Sequence, residues 1–354
     1  MDRTIDYTPL FAPVTATEVA EFRRTTLAAR PSATAEQVSR ILGLVLGGVM
    51  VLVLGFSVLA PAVLALGALL SGSLDPVDAV ILIFPLILIA IGISIGVMAW
   101  RTRRFDWEKR LRMARFAAAN GFLYESVSPP PSYPGLIFGI GTSRQVTDHL
   151  RTADGRYLDF GNYRYTTGSG KNRTTHHWGF LALQLDRALP HMLLDSRANN
   201  GLLGSTNLPA VFSNDQVLSL EGDFDRYFRL YCPKEYERDA LYVFTPDLMA
   251  LLIDEASPFD VEIIDQWMLV YSARPFPLAD AATYQRLLRI VSTVGAKTLT
   301  QTDRYVDERI GEFSANIVAP QGQRLRRGVS VLGIVFLVGF ALVWILSAIT
   351  SFLP

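Results

Sequence analysis

The chain has 354 residues, half of them apolar, and its 33 basic side chains balance 33 acidic ones to a formal net charge of zero. Those proportions exclude a collagen, an intrinsically disordered chain and a disulfide-rich secreted domain. The apolar residues are also unevenly spread: Ile41–Leu70, Ala79–Trp100 and Val329–Leu353 contain no Asp, Glu, Lys, Arg or His.

Residues 1–40 carry five acids and five bases, so the first apolar block does not follow the short basic start of a cleavable signal peptide. Each of the three blocks reaches the roughly 20 helical residues needed to cross a bilayer core. They predict three transmembrane helices: a hairpin over residues 41–100 and a C-terminal span within 324–354. Pro61 would kink the first, because proline lacks the backbone donor and clashes with the preceding turn. Ser71–Asp78 reads as the turn between the first two. Gly43 with Gly47 and Gly92 with Gly96 supply small-residue pairs for close helix packing. The blocks lack ionisable residues, which disfavours a transport pathway.

Orientation follows from the basic flanks. Arg23, Arg24, Arg30 and Arg40 precede the first block, seven bases follow the second between Arg101 and Arg115, and Arg324, Arg326 and Arg327 precede the third. Lys and Arg beside spans stay on the cytoplasmic side. The expectation is a multi-pass plasma-membrane protein with its N-terminus and central portion cytoplasmic and its C-terminus outside. The lipid bilayer is then the first partner, with a homo-oligomer or a membrane-protein partner as the second. The single cysteine, Cys232, suits a reducing compartment.

Residues 101–121 continue a helical period through Trp107, Leu111, Ala114 and Ala118, and Asn120-Gly121 offers its C-cap. The apolar stripe of this basic helix is expected to dock on the globular domain. Ser128–Pro134, with four prolines, reads as an irregular linker into that domain, which is expected to occupy 122–323.

Beyond the linker the chain turns strand-like. Gln145–Arg151, Arg156–Thr166, Thr174–Asp186, His191–Asp195 and Val217–Glu221 are short runs rich in aromatic and β-branched residues. Leu181, Leu183 and Leu185 alternate as on a half-buried strand, and Thr167–Asn172 reads as a hairpin loop. Asp225–Cys232 and Leu241–Phe244 are read as strands, Thr245-Pro246-Asp247 as a helix start, and Val261–Ile264 with Met268–Tyr271 as a strand pair. A helix is predicted from about Leu278 to Val294, and a short last one over Arg304–Phe313. The fold class is α+β, with a mostly antiparallel sheet and three transmembrane helices.

One stretch carries a resemblance. Leu220-Glu221-Gly222-Asp223-Phe224-Asp225-Arg226-Tyr227-Phe228, then Tyr231, Glu237 and Arg238, then Leu241-Tyr242-Val243-Phe244-Thr245-Pro246-Asp247-Leu248-Met249 resembles an uncharacterised bacterial membrane-protein family. Its members pair two N-terminal spans with a soluble domain of unknown function. The likeness covers roughly Val217–Tyr271. The family places an Ala-Arg-Tyr triplet before the Thr-Pro helix start, where this chain has Arg238-Asp239-Ala240-Leu241-Tyr242, and the third apolar block is a further departure. The resemblance implies a protein class and assigns no catalytic residue.

The residues themselves offer few reactive constellations. Thr166-Thr167-Gly168-Ser169-Gly170-Lys171-Asn172 falls short of a phosphate loop, since Tyr165 stands at the first glycine position and Asn172 replaces the hydroxyl. Adjacent His176 and His177 would point to opposite faces of a strand, and His149 and His191 are isolated in sequence, so no metal or cofactor is expected. Glu221, Asp223 and Asp225 read as turn and capping residues before a cation site. From Phe116 to Gln323 there are 18 bases and 24 acids, a balance that argues against nucleic-acid binding. The leading expectation is a non-enzymatic, membrane-tethered scaffold or regulatory domain. The alternative is a membrane-bound enzyme acting on a lipid or envelope precursor, with a cleft drawn from His176, His177, Asp159, Asp186 and Glu221.

Overall fold

A computed structural model of the chain describes residues 4–28, 76–201, 206–310, 316–328 and 339–345, together with positions 48, 55, 56, 63, 67, 70 and 71. The elements are helices α1 (Thr8–Phe11), α2 (Ala16–Ala28) and α3 (Pro76–Asn120), then strands β1 (Phe122–Ser128), β2 (Thr142–Thr152), β3 (Leu158–Thr167) and β4 (Thr174–Ser196). Strands β5 (Val217–Leu218) and β6 (Phe228–Tyr231) and helices α4 (Glu237–Val243) and α5 (Pro246–Leu251) follow. Strand β7 (Asp260–Ser272) and helices α6 (Ala281–Ile290), α7 (Ala296–Thr302) and α8 (Pro320–Gln323) complete the order.

Contacts divide the chain into two units: Ala12–Arg112, and Met1–Phe11 with Met113–Pro354. In the first, Thr15 and Glu18 form a reciprocal capping box at the start of α2. The Thr15 amide donates to Glu18 Oε2 at 2.7 Å, and the Glu18 amide to Thr15 Oγ1 at 3.3 Å. Phe22 then meets the edge of Trp107 at 6.3 Å, with the Arg23 guanidinium 5.9 Å from the same ring.

Among the described residues no helix is long and apolar enough to cross a membrane. That corrects the three-transmembrane-helix expectation, and with it the multi-pass plasma-membrane placement. The blocks 41–70 and 329–353 lie outside the described residues apart from isolated positions and 339–345. The block 79–100 falls in α3, which continues without a break into the charged segment Arg101–Arg115. The absence of a span is a property of the described helices alone, in which the uncharged run of α3 and the charged Arg101–Arg115 belong to one helix.

The second unit is an α+β domain built on an antiparallel seven-stranded sheet, ordered β1-β2-β3-β4-β6-β5, with β7 against the other edge of β4. Strand β4 is the axis. Its first half pairs with β3, from Thr167↔Thr174 to Leu158↔Leu183, and its end pairs with β6. Along its other side runs β7, from Gly179↔Ser272 to Leu194↔Val261.

Each sheet face carries its own core. On one face Leu181, Leu183 and Leu185 pack with Phe116, Phe160, Tyr284, Leu287 and Ile290 under the helices. Helix α3 delivers Met113, Phe116 and Ala117 to this core, so its buried stripe is shifted from the expected Ala114 and Ala118. Gly121, at φ 72°, ends α3 in the left-handed region that glycine enters without strain. On the other face Tyr163, Phe180, Leu269 and Tyr271 are covered by Ile137 and Phe138 of the 129–141 strap and by Leu208, Phe212 and Leu325. A sheet buried on both faces needs such a lid, because its backbone and aromatic surface cannot be left to water.

Several elements differ from their predicted form. Thr174–Asp186 and His191–Asp195 are one strand, and Val261–Ile264 and Met268–Tyr271 are likewise the two halves of β7. Leu241–Phe244 belongs to helix α4 and its C-cap, since Ala240 and Val243 are buried at helical spacing. The predicted helix over Leu278–Val294 is α6, followed by a wider π-type turn at Val291–Gly295 and then α7. Residues 304–310 form turns, and 311–315 lie outside the described residues.

Candidate functional site

The strap-covered face gathers two histidine–carboxylate pairs, and strand irregularities put them there. In an even strand, residues an even number apart share a face. Val146 and Leu150 nonetheless belong to opposite cores. Between them the β2–β3 register shifts, and Asp148 has φ 51°. This bulge turns His149 onto the face of Val146. In β7 the same device sits at Asp265, with φ 52°, so that Glu262 and Tyr271, nine residues apart, both face the strap. In β4 the register shifts between Gln184 and Met192, which places His191 beside Leu193 on that face.

The first pair is His149 with Asp159, exposed by 4% and 0%. His149 Nε2 lies 2.6 Å from Asp159 Oδ1, and its Nδ1 lies 2.6 Å from Ser128 Oγ. A carboxylate only accepts, so Nε2–H donates to Asp159, and Nδ1 shares a hydrogen bond with the Ser128 hydroxyl. Asp159 Oδ2 accepts from the Tyr133 hydroxyl of the strap and, at 3.5 Å, from Tyr157. Burial, with Asp159 beside it, pushes the Tyr133 hydroxyl far above its ordinary range, which fixes it as a donor.

The second pair is His191 with Glu262. His191 Nε2 donates to Glu262 Oε1 at 2.7 Å, while Nδ1 accepts the Leu325 amide at 3.0 Å. Glu262 Oε2 accepts from the Tyr271 hydroxyl at 2.6 Å and from the Leu136 amide at 2.9 Å. Tyr271 is held well above its ordinary pKa by burial and by the adjacent Glu262. Space here is tight: a Cβ at Gly135 would stand 2.1 Å from the Tyr271 hydroxyl. Both pairs therefore tie the strap to the sheet, one through Tyr133 and one through Leu136.

Two more buried acids do similar work. Asp307 Oδ2 accepts from Tyr236 at 2.6 Å and from the Ala319 amide at 2.8 Å. Burial alone would raise its pKa, but these bonds and those from Arg309 outweigh that and hold it low. Asp260 accepts the Ser196 amide at 2.8 Å and Asn199 Nδ2 at 2.9 Å, yet burial still pushes it up to about 7.

The residues proposed from sequence for a common cleft are dispersed. Asp159 is sealed under the strap. Asp186 is bound bidentately by Arg156 at 2.8 and 2.9 Å, which lowers its pKa. Glu221 is exposed in the turn where Asp225 accepts from Ser219 and, at 3.2 Å, from the Leu220 amide. His176 and His177 pair with Tyr165 and Arg164 on opposite faces of β4, and both border a cavity of about 330 Å³. The glycine-rich loop is a hairpin tip closed by Thr167↔Thr174. Burial pushes the Cys232 thiol up to about 12, which leaves it unreactive. Sequence reasoning missed Ser128, Tyr133, His149, His191 and Glu262 as a group. Only His149 and Asp159, ten residues apart in two consecutive predicted strands, had a local signal.

No family model matches the chain, and no curated protein matches it. Among solved structures, the mycobacterial trehalose monomycolate transport factor A, TtfA, aligns with a TM-score of 0.36 and 16% identity, over 53% of this chain and 93% of that one. A likeness of that size does not bear on function.

Proposed function

We propose that this protein is a non-enzymatic scaffold or regulatory domain that works by presenting a rigid surface to a protein partner or to a second copy of itself. The observation that carries the reading is the use to which the buried ionisable groups are put. Asp159, Glu262, Asp260 and Asp307 each accept hydrogen bonds from distant parts of the chain, and His191 has both ring nitrogens engaged. Such groups fasten segments, whereas a catalytic group needs an open coordination or proton position facing a substrate. Meanwhile Leu241 and Tyr242 on α4 stay 53% and 43% exposed, side by side, as a contact surface would. Light scattering and in-cell cross-linking of the full chain test this. A defined oligomer or a stoichiometric partner is expected, lost when Leu241 and Tyr242 are both changed to Glu. A monomer without a cross-linked partner overturns the reading.

The Ser128–His149–Asp159 relay favours a second reading, a serine hydrolase. Its order is reversed relative to the usual triad, in which serine meets Nε2 and the carboxylate meets Nδ1. Only 6% of the Ser128 surface is exposed. Stoichiometric labelling of Ser128 in the folded chain by a fluorophosphonate would establish this reading, and its absence would remove it.

A further inference from the structure

At the margin of the helix-side core lies a cavity of about 380 Å³, between the segment that leaves β7 and the first two turns of α6. Phe259, Pro275, Phe276, Pro277 and Leu287 give it apolar walls. Arg274 and Arg286 are its two charged residues, and no Asp, Glu, Lys or His lines it. Size and lining are those of a small-molecule site, in which apolar and aromatic walls hold the body of a ligand and a few polar groups orient it.

The walls are fixed from behind. Phe276 is clamped by Asn162 of β3, whose Oδ1 accepts its amide at 2.6 Å and whose Nδ2 donates to its carbonyl at 3.0 Å. A Cβ at Gly179 would stand 2.7 Å from the Phe276 ring, so the ring lies directly on β4. Phe259 meets that ring edge-on at 5.8 Å, and the Arg286 guanidinium stands 5.2 Å from the centre of the Phe259 ring. Both arginines are exposed, and among the described residues neither is in an ion pair. The carboxylates nearby in sequence are engaged elsewhere. Glu255 lies 3.8 Å from Arg289, and Asp280 Oδ1 accepts the Ala282 amide at 3.1 Å as the cap of α6. That cap also closes the helix end, so the donors offered to the cavity are guanidiniums rather than helix amides.

We propose that this cavity binds a small amphiphilic carboxylate, whose charged head meets Arg274 and Arg286 and whose acyl or aryl body lies against Phe259 and Phe276. Two cations and no anion at one apolar cavity favour an anionic ligand, and planar guanidinium forks match carboxylate geometry. Burial of the apolar body adds a hydrophobic contribution that a compact inorganic anion lacks. The cavity shares no lining residue with the Leu241–Tyr242 surface, so such a ligand is independent of the scaffold role.

Octanoate, kept below the concentration at which it forms micelles, tests this by calorimetric titration into the full chain. Acetate, which lacks the body, and octanol, which lacks the charge, are the comparisons. Saturable binding of octanoate is expected, with acetate and octanol at least about tenfold weaker. Arg274→Ala and Arg286→Ala should each lower octanoate affinity roughly tenfold, the loss of one charge-assisted contact. Both alter exposed side chains and so leave the fold in place. Ala282→Trp, at an exposed position lining the cavity, should abolish binding by filling it. No saturation, acetate or octanol binding as tightly as octanoate, or unchanged affinity in either arginine variant overturns the proposal. A short apolar peptide with a free C-terminal carboxylate is titrated alongside. Tighter binding of the peptide than of octanoate assigns the cavity to a protein terminus and overturns the proposal as well.

Discussion

His149–Asp159 and His191–Glu262 have the same chemistry, the same burial and the same sheet face, yet they differ at the far nitrogen of each ring. His191 Nδ1 holds a backbone amide, that of Leu325, whereas His149 Nδ1 holds a hydroxyl, that of Ser128. A backbone amide cannot give up its proton, so the His191 pair can only join segments. The His149 pair keeps a movable proton but is sealed by Tyr133. The comparison teaches that a histidine–carboxylate pair acquires its role from the third group and from what covers it.

The comparison is sharpened most by removing the carboxylate that also holds a backbone amide of the strap. Glu262→Ala leaves His191, Tyr271 and the Leu136 amide unpaired under the strap. A loss of about 3–5 kcal/mol is expected in urea unfolding, the cost of breaking a buried charged network. Next comes Asp260, whose pKa in the folded chain is about 7, against an ordinary value of 3.8. A raised folded pKa means the folded state binds the proton more tightly. This group's contribution is therefore most favourable below about pH 4, declines as pH rises toward 7, and is level above that. The fall amounts to about 4 kcal/mol at most. Asp260→Asn should flatten the stability profile between those limits in unfolding experiments across pH. An unchanged profile would show that Asp260 is not the group responsible.

Smaller effects separate the two pairs. Asp159→Asn disturbs the acceptors of His149 and Tyr133 and should cost about 1–3 kcal/mol in the same assay. Ser128→Ala removes a single neutral bond to His149 and should cost about 0.5–1.5 kcal/mol. Should Ser128→Ala destabilise as much as Glu262→Ala, the ranking of the pairs is wrong.

Much of the sheet was legible from local pattern. The alternation of Leu181, Leu183 and Leu185 marks the face of β4 that meets the helices, and the Thr167–Asn172 hairpin joins β3 and β4. The continuity of β4 was hidden by Pro190, which reads as a break because proline has no donor for the ladder. It is tolerated within the irregular stretch between Leu189 and Met192, where the β7 register shifts. Leu241–Phe244 looked like a strand because its residues are aromatic and β-branched, but burial of Ala240 and Val243 outweighs that preference. The membrane reading rested on runs of uncharged residues, and the described helices do not support it.

The site was largely illegible. Glu262 lies 71 residues from His191, and their meeting depends on a bulge at Asp265 that no local sequence rule marks and on a register shift near Pro190 whose direction proline does not reveal. A bulge shifts which residues share a face, so alternation read from sequence fails where the polar groups converge.

Whether these pairs fasten the strap is tested most directly by amide hydrogen exchange at Leu136 and Leu325. Both protons are donated to the His191–Glu262 network. They should exchange as slowly as the amide of Leu181 in the middle of β4, through unfolding of the whole domain, and Glu262→Ala should release them together. Rapid exchange at both positions in the unmodified chain, while Leu181 stays protected, would contradict the account.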